Sequence, residues 1–224
     1  MSQEKDWDNA FTGTELKGTV TDSAAFGGAL SFMRRRYTDE LAGVDVAVTG
    51  VPLDTATSNR PGARFGPRAI RAASTIISWT RPWPWDFDPL ETLAIIDYGD
   101  CEFDFGAPAS IADTVQAHIA GILDAGAAAL VLGGDHYATY PVLRAYAERH
   151  GALSLVHFDA HSDTWPDAPG RDKKTQRVDH GTMFYHAVQQ GLVDDSRSVQ
   201  IGLRTTNDDT LDFTILDARW VHEN

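Results

Sequence analysis

Residues 153–163, LSLVHFDAHSD, place Asp159, His161 and Asp163 at every second position after an apolar run. In an extended backbone alternate side chains point to the same side. Carboxylate, imidazole and carboxylate are therefore expected to converge just past the end of a strand. A second apolar run, AALVLGGDH over 128–136, ends in Asp135 and His136 and brings another imidazole to such a rim. Oxygen and imidazole donors gathered in this way are what a divalent ion such as Mn2+ takes. The pattern predicts a metal site built from His136, Asp159, His161 and Asp163, and a two-metal one. A single Asp or His at a strand end is ordinarily a turn former or a helix cap. Three ligand types at period two, beside a second run ending in Gly-Gly-Asp-His, are far harder to reach by accident.

Two ions that share a carboxylate can hold a bridging water and bring its pKa towards neutrality. The resulting hydroxide attacks an uncharged or cationic sp2 carbon, and an imidazole beyond the metals then moves a proton to the leaving amine. His180 is the candidate for that imidazole, because it opens DHGTMFYHA with Asp179 beside it. Taken alone it reads equally well as a capping or surface histidine. His157 shares the parity of Asp159 but lies one pleat deeper, which suits a core residue or one that braces a ligand. His118, His150, His186 and His222 have no constellation around them and receive no role.

The elements that must position these residues alternate. Apolar runs of strand length occupy 44–50, 93–97, 128–134, 153–158 and 198–203, and they lack the polar alternation of a half-exposed sheet. Such runs suit parallel strands covered on both faces. Helix-like stretches lie between them at 67–74, 110–127, 140–150 and 182–190, which predicts an α/β domain with a mainly parallel, doubly wound sheet. Ligands in such sheets bind outside the carboxyl ends of the strands. Residues 1–40 read as an N-terminal arm with a basic run at Arg34, Arg35 and Arg36, and 41–224 as the α/β domain. The segment 79–89 holds three tryptophans and three prolines and reads as a rigid apolar loop or oligomer contact. The polar segment 166–181 leaves directly after the metal motif and reads as a lid.

With 224 residues the chain can bury one sizeable core. Nineteen basic against thirty-two acidic residues give a net charge of −13, which repels phosphate backbones and argues against nucleic acid. The same field mildly favours a cationic substrate. Cys101 is the sole cysteine, so no intrachain disulfide forms, which fits a reducing, cytoplasmic compartment. No apolar run approaches the roughly 18 residues of a membrane span.

The motifs GVPLDTATSNRPGARFGPRAIR (50–71), GGDH (133–136), DAHSD (159–163), DHGTMFYHA (179–187) and SVQIGLRT (198–205) together resemble the ureohydrolases, the arginase and agmatinase superfamily. Within it they are most similar to agmatinase. The resemblance implies a three-layer α/β/α arginase-like fold. It also implies hydrolysis of a guanidinium group by a metal-activated hydroxide, here agmatine to putrescine and urea, with two Mn2+ per subunit. By position, His136 and Asp163 bind one manganese, His161 the other, Asp159 bridges both, and His180 is the proton shuttle. A homo-oligomer, trimer or hexamer, is implied as well.

The sequence departs from the pattern in lacking the later Asp-x-Asp pair with which the family completes its metal site. The pairs Asp194–Asp195 and Asp208–Asp209 are adjacent and on a strand would face opposite sides. A domain incomplete at its C-terminus is therefore expected, as a partial sequence of an active enzyme or as an inactive truncated relative. The loop from Trp165 to Val178 is longer than in the agmatinases, which leaves other guanidino substrates open, of the guanidinobutyrate or guanidinopropionate type. A single-zinc deacetylase of similar fold is the remaining enzyme reading. The pairing of His136 with Asp163 argues against it.

Overall fold

Val- and Ala-rich runs without polar alternation form parallel strands, and every strand pairing among the described residues is parallel. The computed structural model describes residues 26–77, 81–166 and 178–224. The first 25 residues of the expected arm, Trp79 of the aromatic loop and 167–177 of the expected lid lie outside them. The chain divides into two compact units, each with its own three-stranded sheet.

The first unit draws on Met1–Leu53, Gly62–Asp104 and His118–Gly134. Its sheet has the order β2-β1-β3, from β1 (Val46–Val51), β2 (Ile95–Asp100) and β3 (Ala128–Gly133). The central strand β1 is almost wholly buried, as a strand covered on both faces must be. Val48, Leu90, Ile95 and Leu132 form a core cluster with Phe32, Met33 and Val46 packed on it. Between Val48 and Thr49 the register with β2 slips, passing over Tyr98 to Gly99. Gly99 adopts φ 82, and a Cβ there would lie 2.8 Å from the Tyr37 hydroxyl, so this bulge needs glycine.

Helix α1 (Gly66–Ser74) begins with Pro67 in its first turn, where the missing N–H costs nothing. A Cβ on Gly66 would come within 2.5 Å of the Gly133 carbonyl oxygen, so the helix starts pressed against the end of β3. From α1, Arg71 reaches the buried Asp97 with a two-pronged pair, Nε to Oδ2 at 2.8 Å and NH2 to Oδ1 at 2.9 Å. Its remaining nitrogen meets Asp100 Oδ1 at 2.5 Å. Burial alone would lower the Arg71 pKa, but Asp97 and Asp100 outweigh it and hold the pKa above the ordinary value. Asp97 also accepts the Phe32 N–H at 2.7 Å, so one carboxylate ties the helix, its own strand and the segment before β1. Arg34 likewise turns inward, its guanidinium donating to the carbonyls of Gly27 and Thr75.

The second unit comprises Asp54–Pro61, Phe105–Ala117 and Asp135–Asn224. Its sheet runs β4-β5-β6, from β4 (Val156–Phe158), β5 (Val199–Ile201) and β6 (Thr214–Leu216). Tyr140 and Leu143 of α4 (Thr139–His150) and Met183, Phe184 and Ala187 of α5 (Met183–Gln189) form its core with Val193 and Phe213. Helix α4 stops at Gly151, whose φ of 77 suits a C-terminal glycine and whose N–H bonds the Ala147 carbonyl.

The strands expected at 44–50, 93–97, 128–134 and 198–203 and the four expected helices are present with shifted ends. The one expected over 153–158 shortens to three residues, with Leu153 making only an isolated bridge to Val193. Strand β6 escapes a sequence reading because three residues carry too little periodicity. The short helices α2 (Pro89–Thr92) and α6 (Ala218–Glu223) are too brief to show an apolar stripe; each is marked instead by a capping aspartate, Asp88 or Asp217. The helix read at 110–127 is α3 (Ile111–Asp124), which buries Ile111, Val115, Ile119, Ile122 and Leu123 at helical spacing.

Two outcomes follow for the first unit. Arg71→Met leaves the buried Asp97 without its cation and should cost about 3–5 kcal/mol in urea unfolding, as for other broken buried pairs; a loss under about 1 kcal/mol would refute the clamp. His118 is half-buried, and the partial loss of solvent lowers its pKa. Thr49 Oγ1 donates to the Gly99 carbonyl at 3.0 Å, so at 2.8 Å it accepts the His118 Nε2–H. The unfolded chain therefore takes up a proton near the ordinary histidine pKa of 6.5 that the folded chain refuses. Stability should fall as pH drops through and below 6.5, and His118→Gln should flatten that fall in thermal melts.

Candidate metal centre

All of the sequence-predicted ligands belong to the second unit. Leaving β4, the chain keeps one more sheet bond, Asp159 N–H to the Ile201 carbonyl at 3.1 Å, and then bends. Asp159 Oδ1 accepts the His161 N–H at 2.8 Å, a turn that aspartate forms with the residue two positions on. The same oxygen lies 3.1 Å from His161 Nδ1. Asp163 then adopts φ 52, the left-handed region that aspartate tolerates better than most residues. Its carbonyl accepts the Phe184 N–H at 3.1 Å, and its Oδ2 lies 2.7 Å from His136 Nδ1. His136 opens a 3₁₀ turn, His136–Ala138, capped by Asp135, and its ring meets the Phe184 ring edge-on with centroids 5.5 Å apart.

The expectation from strand period was convergence of alternate side chains. The carboxylates of Asp159 and Asp163 do converge with His136, but bends beyond the strand bring them together. His136, His157, Asp159 and Asp163 each offer one donor atom, and these lie within 4.8 Å of one another. His161 stands outside that foursome, its side chain 54% exposed, on the other oxygen of the same Asp159 carboxylate. Asp159 thus faces two directions: Oδ2 lies 3.8 Å from His136 Nδ1, and Oδ1 faces His161. Burial would raise its pKa, but the His161 N–H and ring, with His157 and His136, hold it below the ordinary value.

His157 joins the foursome by distance, with Nε2 3.8 Å from Asp159 Oδ2. Its chemistry is set from the other side of the ring. Gln200 donates one amide hydrogen to the Ser162 carbonyl at 2.7 Å, which fixes which end of the amide is nitrogen. Its second hydrogen points at His157 Nδ1, 3.3 Å away, so Nδ1 accepts and the neutral ring carries its proton on Nε2. A protonated Nε2 has no lone pair for a metal. His157 Nε2 is buried without a hydrogen-bond partner among the described residues, and burial lowers the ring's pKa. His157 therefore turns an N–H rather than a lone pair towards Asp159, whose Oδ2 at 3.8 Å lies beyond hydrogen-bond reach.

The loop is supported from beneath. Asn207 Nδ2 donates to Ser162 Oγ at 2.7 Å and to Thr164 Oγ1 at 3.0 Å, and Thr164 Oγ1 donates to the Asp209 carbonyl at 2.6 Å. Ser162, Thr164 and Gln200 are buried. Sequence reasoning missed this group. The one available signal was Gln200, a long polar residue inside the apolar run 198–203.

His180 stands apart from the four-donor group, and its Nδ1 meets the Ala56 carbonyl. Asp179, its sequence neighbour, accepts the Gly181 N–H at 3.0 Å. The buried Asp135 accepts the N–H groups of Ala56 and Tyr137, each at 2.9 Å. Burial pushes the Asp135 carboxyl above the ordinary range, against those two N–H groups and the nearby His180.

The donor set fits a divalent cation, since imidazole and carboxylate are the ligands that manganese and its neighbours accept. Residues 44–224 match the arginase family. An agmatinase of Chromobacterium violaceum is 50% identical over 218 residues, covering 97% of this chain and 66% of that protein. The crystal structure of a hypothetical agmatinase from Burkholderia thailandensis superimposes with a TM-score of 0.84 at 55% identity, covering 89% of this chain and 62% of that one. Proclavaminate amidino hydrolase from Streptomyces clavuligerus gives 0.75 at 37% identity, covering 90% and 67%. The chain thus spans about two thirds of the length of these relatives. Its parallel sheets and intervening helices are the arginase-like α/β fold, as expected from the sequence.

If His136, Asp159 and Asp163 hold the ion and His157 only lies beside them, two substitutions should separate in calorimetric titration with Mn2+. Asp163→Ala should weaken binding by more than about 100-fold, and His157→Gln by about 10- to 100-fold, the range for outer partners of metal ligands. Equal affinity in wild type and Asp163→Ala would remove the site.

Proposed function

Because the chain belongs to the arginase family, we propose that the protein hydrolyses agmatine to putrescine and urea with two Mn2+ ions. The observation that carries this is 50% identity to a protein named agmatinase across nearly the whole chain. His136 and Asp163 would hold one ion and His161 the other, with Asp159 between them. The two-way facing of the Asp159 oxygens supports a bridging role. When bound, such ions lower the pKa of water and supply a nucleophile near neutral pH.

The residues of the chain supply the rest. A guanidinium stays protonated and resonance-stabilised at neutral pH, so a nucleophile must be held close to its carbon for attack to occur. Carboxylates of Asp159 and Asp163 tolerate its positive charge, and the net charge of −13 favours its approach. His180 keeps Nδ1–H on the Ala56 carbonyl, which leaves the Nε2 lone pair to take up the proton released by the attacking water and then hand it to the departing amine. A homo-oligomer, trimer or hexamer, belongs to the same reading, and the exposed Trp83, Trp85 and Phe87 offer apolar surface of the kind interfaces bury. So does a cytoplasmic location, consistent with a lone buried cysteine; no helix among the described residues is long and apolar enough to cross a membrane.

A second reading keeps the chemistry and changes the substrate to another guanidino compound, of the guanidinobutyrate or guanidinopropionate type. It is favoured by the 37% identity to a proclavaminate amidino hydrolase.

Purified protein supplied with Mn2+ should release urea and putrescine from agmatine in equal amounts, and chelation should abolish the reaction. His180→Asn should lower kcat by about 10²- to 10⁴-fold, the range for a lost proton-transfer group. Urea from guanidinobutyrate alone would select the second reading. No urea from any guanidino compound tested would end both.

A further inference from the structure

The buried Ala56 is held from both sides. Its N–H donates to Asp135 Oδ2 at 2.9 Å, and its carbonyl accepts from His180 Nδ1. The turn that carries it is closed by Thr57 Oγ1 on the Asp54 carbonyl at 2.7 Å. The second oxygen of Asp135 accepts the Tyr137 N–H and so caps the turn that presents His136. One buried carboxylate therefore has both oxygens committed, one beneath a candidate metal ligand and the other on the N–H of the residue whose carbonyl faces His180. All of these residues lie in one unit.

An imidazole that donates from Nδ1 to a carbonyl is fixed in the Nδ1–H tautomer, with Nε2 open. A carbonyl can perform this task only if its own segment is held still. Asp179, the acid next to His180 in sequence, accepts the Gly181 N–H; the acceptor at Nδ1 is the Ala56 peptide. We infer that Asp135 is a positioning residue for His180, acting through the Ala56 backbone to keep Nδ1 protonated and Nε2 free for proton transfer. The catalytic side of this inference rests on the hydrolase reading of His180; the structural side does not.

Asp135→Asn tests it, because the amide offers one acceptor oxygen to two N–H groups and so cannot serve both Ala56 and Tyr137. Histidine-selective 15N NMR of the purified protein, with His180 assigned by loss of its signal in His180→Gln, reads the tautomer directly. Wild type should show His180 protonated at Nδ1, and Asp135→Asn should show a mixture of both tautomers. In turnover, kcat of Asp135→Asn should fall by about 10- to 100-fold, the cost of losing an outer hydrogen-bond partner. KM and the bound metal per chain should change by less than about threefold, which a general unfolding of the site would not allow. If the asparagine variant does not fold, Asp135→Ser keeps a capping oxygen for Tyr137 and gives the same readout. His180 protonated at Nε2 in wild type, or a tautomer untouched by Asp135→Asn, would overturn the inference. A locked tautomer in a protein that releases no urea would leave the positioning standing and end the hydrolase reading.

Discussion

The turn from Asp159 to Asp163 is the constraint on which the candidate centre depends. Asp159 must remain bonded to β5 through its N–H while its carboxylate turns towards His136 and His161. Asp163, four residues later, must bring its carboxylate back to the same place. An extended chain cannot do both, because four residues of strand carry the backbone some 13 Å forward. The bends at Ala160 and His161 turn the chain out of that advance, and the left-handed backbone at Asp163 sets the direction of its side chain. Such a conformation costs of order 1 kcal/mol or more outside glycine, and it persists because its neighbours over-determine it. The Asp163 carbonyl is bonded to the Phe184 N–H, Ser162 and Thr164 on either side are bonded to Asn207, and the Ser162 carbonyl is bonded to Gln200.

This explains which parts were legible in the sequence. The apolar runs gave the parallel strands because a strand buried on both faces has no room for polar alternation, and β1 has that burial. The candidate ligands stood out in the sequence because Asp, His and Asp crowded after such a run have few structural uses. The backbone that gathers them was not, since strand period assigns them to one face and the observed chain reaches the same end by two bends. His161 shows the difference. It shares the parity of Asp159 and Asp163, yet it meets Asp159 from the exposed side, apart from the tight foursome. The Asn207 and Gln200 supports come from distant sequence positions, and nothing local in an amide side chain announces a partner some forty residues away.

The first unit contributes a different kind of order. Arg71 sits in the motif RPGARFGPRAIR, whose arginines invite a reading as anion or substrate contacts. Its guanidinium is instead spent on Asp97 and Asp100, and Gly66 of that motif allows close approach to the Gly133 backbone. The motif is therefore accounted for by packing at these positions. The buried carboxylates of Asp97, Asp135 and Asp163 each have a bonded partner, so the net charge of −13 bears on approach of a cation rather than on the fold.

Three histidines show how the structure assigns protons without a carboxylate touching most of the rings. His118 gives its Nε2–H to Thr49, whose own hydrogen is already committed to Gly99. His157 accepts at Nδ1 from Gln200, whose orientation is dictated by Ser162. His180 gives Nδ1–H to Ala56. For His118 and His157 the group against the ring has had its direction chosen by a further bond, so the tautomer is fixed two contacts away from the imidazole; for His180 the carbonyl can only accept. A neutral imidazole has one donor nitrogen and one acceptor nitrogen, and only the acceptor can bind a metal or receive a proton. The consequence differs by site: a proton on Nε2 presents His157 to Asp159 as an N–H and withdraws it from the candidate ligand set. A proton on Nδ1 leaves the opposite nitrogen of His180 available for reaction. Identical side chains within one unit thus take opposite roles, and what separates them is the identity of the amide or carbonyl on the far side of the ring.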